Sequence, residues 1–111
     1  MADFSRFSQF KARVLATIAA IPECRVTTYG AIGRHLNGTA RQIAKVLATL
    51  SAEESKGIPW FRVVAANGVV SSMNAGPVGP RQIKRLRAEG VSVTPKNRVE
   101  DFKVIVWEPG F

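Results

Sequence analysis

Apolar residues recur at helical intervals along the first twenty positions. Phe7, Phe10, Val14, Leu15 and Ile18 fall on one stripe of a 3.6-residue period, which predicts a helix from about Phe4 to Ile21. Asp3 and Ser5 are candidate caps at its start, and Pro22 stops it. Thr27 or Thr28 then caps a short helix from about Tyr29 to Leu36, and Asn37-Gly38 signals a turn. Thr39 caps a third helix from Ala40 to about Leu50. Its inner stripe is Ile43, Leu47 and Leu50, and its outer face carries Arg41, Gln42, Lys45 and Thr49. Two short helices joined by a tight turn, the second with a basic outer face, predict a helix-turn-helix.

The second half is less periodic. Ser51 to Gly57 reads as a polar loop. Asn67-Gly68 predicts a tight turn, with Val63-Val64 and Val69-Val70 as the short strands of a hairpin. A further helix is expected from Pro80 to Glu89, stopped by Gly90. Ile83 and Leu86 face inward there, while Arg81, Lys84, Arg85 and Arg87 cover the rest. The tail reads as irregular to about Val99, with a strand from Phe102 to Trp107. There is no internal repeat, low-complexity segment or linker, so residues 1–111 are expected to form one domain.

Charge narrows the choice of partner. Sixteen Lys and Arg against eight Asp and Glu give a net charge of +8, an excess that favours polyanions because neutralised phosphates release condensed counterions. Nucleic acid is the first expectation and an anionic membrane surface the second. The membrane reading lacks an amphipathic basic helix with a broad apolar face. No apolar run approaches the roughly 20 residues of a membrane span, and the opening residues hold no signal-like apolar stretch. One cysteine, Cys24, and one histidine, His35, support neither a disulfide nor a zinc site. No cofactor or metal is expected, and a reducing cytoplasm is the natural compartment.

The chemistry concentrates in residues 58–64, Ile-Pro-Trp-Phe-Arg-Val-Val. This run resembles the Pro-Cys-His-Arg-Val signature of the O6-alkylguanine-DNA alkyltransferases, with Trp60 in the cysteine position and Phe61 in the histidine position. A thiolate accepts an alkyl group as a soft nucleophile activated by a neighbouring base. An indole and a phenyl ring do neither. Three further runs follow the family's order: Val26-Thr27-Thr28-Tyr29-Gly30-Ala31-Ile32, Ala40-Arg41 and Glu89-Gly90. The resemblance covers about residues 5–90, and tryptophan for cysteine marks the alkyltransferase-like subgroup.

That resemblance implies a mainly α fold with a short β hairpin, a winged-helix-like helix-turn-helix domain of the alkyltransferase C-terminal type. It implies a non-enzymatic sensor, cytoplasmic and nucleoid-associated, that binds O6-alkylguanine in double-stranded DNA by nucleotide flipping and directs it to nucleotide excision repair proteins. A monomer is expected. Arg41 matches the finger that fills the gap left by the extruded nucleotide, and a planar cation suits that place. Tyr29 matches the residue that helps swing the nucleotide out, and Ala40 a small residue that lets the helix approach. Gln42 and Lys45 lie on the same DNA-facing surface. Trp60 and Phe61 would floor the lesion pocket, with Val63 near the base. Arg62 is expected to serve structure through buried hydrogen bonds, and Glu89 to persist as a structural acid. Many members place a basic lesion contact about thirteen residues after the tryptophan. Here that position is Met73, among Ser71, Ser72 and Asn74. The rivals are a helix-turn-helix regulator without lesion specificity, and an enzyme, either a transferase using Cys24 or a hydrolase.

Overall fold

The computed structural model describes residues 2–70 and 78–110, with side chains from Phe7 onward. The side chains of Asp3 and Ser5, the expected caps, fall before that point, and Met73, within 71–77, lies outside the described residues.

Helix α1 spans Ala2–Ala19 and buries Val14 and Ile18. The chain then enters strand β1, Thr27–Thr28, and passes directly into α2, Tyr29–His35. The Thr28 hydroxyl accepts from the Ala31 N–H at 3.0 Å and caps α2. Gly33 is buried where α2 meets the start of the next helix: a Cβ there would lie 2.8 Å from the Thr39 carbonyl carbon. Asn37 turns the chain with φ +59°. Helix α3, Ala40–Ala48, opens on a capping box in which Thr39 Oγ1 accepts from Gln42 N and Gln42 Oε1 accepts from Thr39 N. The helix-turn-helix predicted from the sequence is thus α2–turn–α3.

Ser51 to Gly57 is not a loop. It contains α4, Ala52–Gly57, opened by a second capping box between Ser51 and Glu54. Ser-x-x-Glu is a helix-start signal that outweighs the polarity of the segment.

The strands depart furthest from expectation. Val63–Val64 forms β2, but its partner is β1, paired in parallel with Thr27 opposite Val63 and Thr28 opposite Val64. The hairpin to Val69-Val70 is therefore replaced by a crossover sheet. A turn does form at Asn67-Gly68, as a short 3₁₀ segment over Ala66–Gly68 that the Ala65 N–H closes onto Val69 O. Val69 bridges Arg98 instead. Alternate side chains of a strand point to opposite faces. Val63 accordingly packs with Val14, Ile18, Ile32, Ile43 and Val46, and Val64 packs with Val26, Phe61, Val70, Ile83 and Leu86. A strand buried on both faces is an uninterrupted apolar pair, the mark of an interior parallel strand rather than a hairpin arm.

Helix α5, Val78–Ala88, packs against the 3₁₀ turn Trp60–Arg62. Residues 102–107 were expected as a strand, but Phe102–Ile105 form helix α6. Only Val106 pairs, in parallel with Val26. Phe102 sits over Gly68, where a Cβ would come within 3.0 Å of its ring. Phe102 and Ile105 pack this tail on one core and Trp107 packs it on the other.

Candidate nucleic-acid interface and base cleft

Helix α3 presents Ala40, Arg41, Gln42, Ala44, Lys45 and Ala48 to the exterior. Ile43 and Val46 are fully buried and hold it on α1 and α2. The alanines recur every four residues, so the outer face is low along one line, with Arg41 and Lys45 on the same side. Gln42 is committed in part to the cap, its Oε1 accepting from Thr39 N at 2.8 Å. Thr39, Ala40 and Arg41 carry the exposed first turn of the helix.

Beside this face opens a cleft of about 1030 Å³. Ala44, Leu47 and Ala48 of α3 form one wall, and Val78, Arg81, Gln82, Arg85 and Ala88 of α5 form the other. Tyr29, Trp60 and Val63 lie between them. Ser55 and Lys56 of α4 close an end. The cleft spans the two cores: Tyr29 packs on the cluster around Val14 and Ile32, and Trp60 on the cluster around Val64 and Leu86.

The structure thus brings together Tyr29, Trp60 and Val63 of the expected pocket. It does not bring Phe61, which was expected on the pocket floor. Phe61 is 3% exposed and backs Trp60 from inside the core. Their rings meet edge to face, with centroids 6.0 Å apart and planes at 87°. The aromatic pair therefore presents one ring to the cleft and uses the other as its support. Ala40, Arg41, Gln42 and Lys45 lie outside the cleft lining, on the neighbouring face of α3.

Polar contacts fix the frame. Gln82 Nε2 donates to Phe61 O at 3.0 Å and Val63 O at 2.9 Å, so α5 holds residues 61–63 by two of their carbonyls. Arg62 turns away from the cleft. Its Nε donates to both Glu89 carboxylate oxygens at 2.9 and 3.1 Å, its Nη2 donates to Glu89 as well, and its Nη1 donates to Ile21 O at 2.7 Å. Arg62 and Glu89 thus hold the structural roles that the sequence assigned to them. Glu89 also accepts from Cys24 N, and Cys24 Sγ donates to Glu89 O at 2.8 Å. Cys24 is exposed and does not line the cleft. Among the described residues lining the cleft there is neither a thiol nor an imidazole. No group of three His, Cys, Asp or Glu side chains among the described residues could hold a metal ion.

Sequence reasoning missed the cleft's cations. Arg81, Lys84 and Arg85 of α5 and Lys56 of α4 line it, and no carboxylate is among its described lining residues. The basic composition of α5 was visible in the sequence, but the packing that turns those side chains toward Trp60 was not. The Arg85 guanidinium carbon lies 4.5 Å from the centre of the Phe61 ring.

No described helix is long and apolar enough to cross a membrane. The family model for the 6-O-methylguanine DNA methyltransferase DNA binding domain matches residues 9–91. A DNA base-flipping protein of Escherichia coli is 42% identical over 94 residues, covering 82% of this chain and 69% of that protein. A DNA base-flipping protein of Vibrio parahaemolyticus is 34% identical over 103 residues, covering 91% and 98%. The crystal structure of S. pombe Atl1 in complex with damaged DNA containing O6-carboxymethylguanine superposes with a TM-score of 0.78 at 29% identity, covering 92% of this chain and 97% of that one. With these likenesses the chain belongs to the 6-O-methylguanine DNA methyltransferase family, in its alkyltransferase-like group.

Proposed function

We propose that this protein is a non-enzymatic sensor of O6-alkylguanine in duplex DNA. The observation that carries the reading is a cleft beside the outer face of α3 that holds Tyr29 and Trp60 and, among its described lining, no thiol. The low alanine line of α3 lets the helix approach the floor of a groove. Arg41 enters the stack as one nucleotide swings out, and the base docks against Trp60 and Tyr29. An alkylated guanine pairs poorly, so flipping it costs less than flipping guanine. Contact with aromatic rings then contributes about 1–3 kcal/mol per base. At about 1030 Å³ the cleft has room for a base with its substituent. The hold is stable because Trp60 cannot accept the alkyl group. Residues 1–111 act as one monomeric domain in the cytoplasm at the nucleoid, and the flipped, bent complex is handed to nucleotide excision repair proteins. Gln42 and Lys45 add contacts along the DNA-facing surface.

Fluorescence anisotropy with labelled duplexes containing guanine or O6-methylguanine tests the reading. The lesion duplex should bind at least tenfold more tightly, and Trp60→Ala should remove that preference while sparing the affinity for undamaged DNA. Equal affinity of the wild type for both duplexes sinks it. Duplex carrying a radiolabelled methyl group supplies the second arm. Label on the protein or in solution would make the protein an enzyme.

A further inference from the structure

Two ion pairs occur among the described residues, Lys11–Glu54 and Arg62–Glu89. The cleft cations Lys56, Arg81, Lys84 and Arg85 belong to neither. Arg85 differs from the others in its seat. Its guanidinium lies over Phe61, the ring that backs Trp60. Arg62 also flanks this ring, at 5.4 Å, but its N–H groups are spent on Glu89 and Ile21 O. Among the described residues no acceptor engages the N–H groups of Arg85.

Stacking uses the face of a guanidinium and leaves its in-plane N–H edge for hydrogen bonds. That edge is a fork matched to two adjacent acceptors, and O6 and N7 of guanine form such a pair. O6 alkylation leaves a lone pair on both atoms. Phe61, in the position where the enzymes keep a histidine, has the right shape to hold a flat cation and no proton to exchange.

We infer that Arg85, seated on Phe61, donates to the O6/N7 edge of the purine held against Trp60 and Tyr29, and so acts as a specificity-determining residue. The inference rests on the flipped-base reading above. An undamaged guanine stays stacked in the duplex, so the contact strengthens binding only where the flipped state is populated.

The test measures three duplexes, carrying guanine, O6-methylguanine or 7-deaza-O6-methylguanine, against wild type, Arg85→Gln, Arg85→Lys and Trp60→Ala. Arg85 is exposed on a helix, and circular dichroism with thermal melts checks that each variant folds. Arg85→Gln should bind the O6-methylguanine duplex about tenfold more weakly, with undamaged DNA little changed. Arg85→Lys should restore little of it, since an ammonium lacks the fork. The 7-deaza base should weaken the wild type several-fold and leave Arg85→Gln indifferent. Equal weakening on all duplexes, with the salt slope reduced by about one, would make Arg85 a phosphate contact and overturn the inference. So would an Arg85→Gln variant that still responds to the 7-deaza base, or one with unchanged lesion affinity. If Trp60→Ala abolishes lesion preference and Arg85→Gln does not, this inference fails alone. If the wild type shows no lesion preference, the flipped-base reading fails with it.

Discussion

Gly33→Ala and Gly57→Ala are the same substitution with opposite expected outcomes. Both glycines lie in helices, so alanine at either removes backbone freedom from the unfolded chain and contributes about 0.5–1 kcal/mol. At Gly57 nothing lies within 4 Å of the added Cβ, and the full gain should appear. At Gly33 the Cβ meets Thr39 C at 2.8 Å, with Ala40 N and Thr39 O at 3.1 Å. All three are backbone atoms, so no side chain can swing aside. Helices α2 and α3 must separate, at an overpacking cost of about 1–3 kcal/mol. The net effect at Gly33 is a loss of about 1–2 kcal/mol, or roughly 4–10 °C in Tm for a domain of this size. Differential scanning calorimetry reads both variants. Because the strain tilts α3, Gly33→Ala should also weaken binding to undamaged DNA under conditions where it remains folded. A Gly33→Ala Tm equal to or above that of Gly57→Ala would refute the close approach of α2 to α3.

Two further outcomes follow from the frame around the cleft. Glu89→Gln removes the carboxylate from Arg62, whose side chain is 12% exposed against 14% for Glu89, and should cost about 3 kcal/mol in urea unfolding; a loss below about 1 kcal/mol would mean that the pair is not a structural tie. The Ser51 N–H, and then Lys11, hold the Glu54 carboxyl below its ordinary value, so Glu54 supports α4 above the usual carboxylate range and that support fades as pH falls through the depressed value. Amide chemical shifts of α4 should show this acid transition in wild type and lose it in Glu54→Gln, and an unchanged profile in the variant would exclude Glu54 as its source.

The sequence by itself determined the parts that depend on near neighbours. The stripe of Phe10, Val14 and Ile18 defines α1, and Thr28 and Thr39 cap α2 and α3. These are readable because capping and helical periodicity act over three or four residues. The capping box at Ser51 and Glu54 is equally local, and it outweighs the polarity that makes this segment resemble a loop. What only tertiary structure decided was long-range. Val63-Val64 could pair with a neighbour across Asn67-Gly68 or with distant Thr27-Thr28, and burial on both faces selects the distant partner. Phe61 could face the cleft or the core, and the path of the Trp60–Arg62 turn sends it inward, leaving Trp60 to line the cleft. Arg85 is one of several cations on α5, and only the packing of that helix against the same turn seats it on Phe61. Such choices depend on which surfaces meet after the chain has folded back on itself, and no local pattern encodes them.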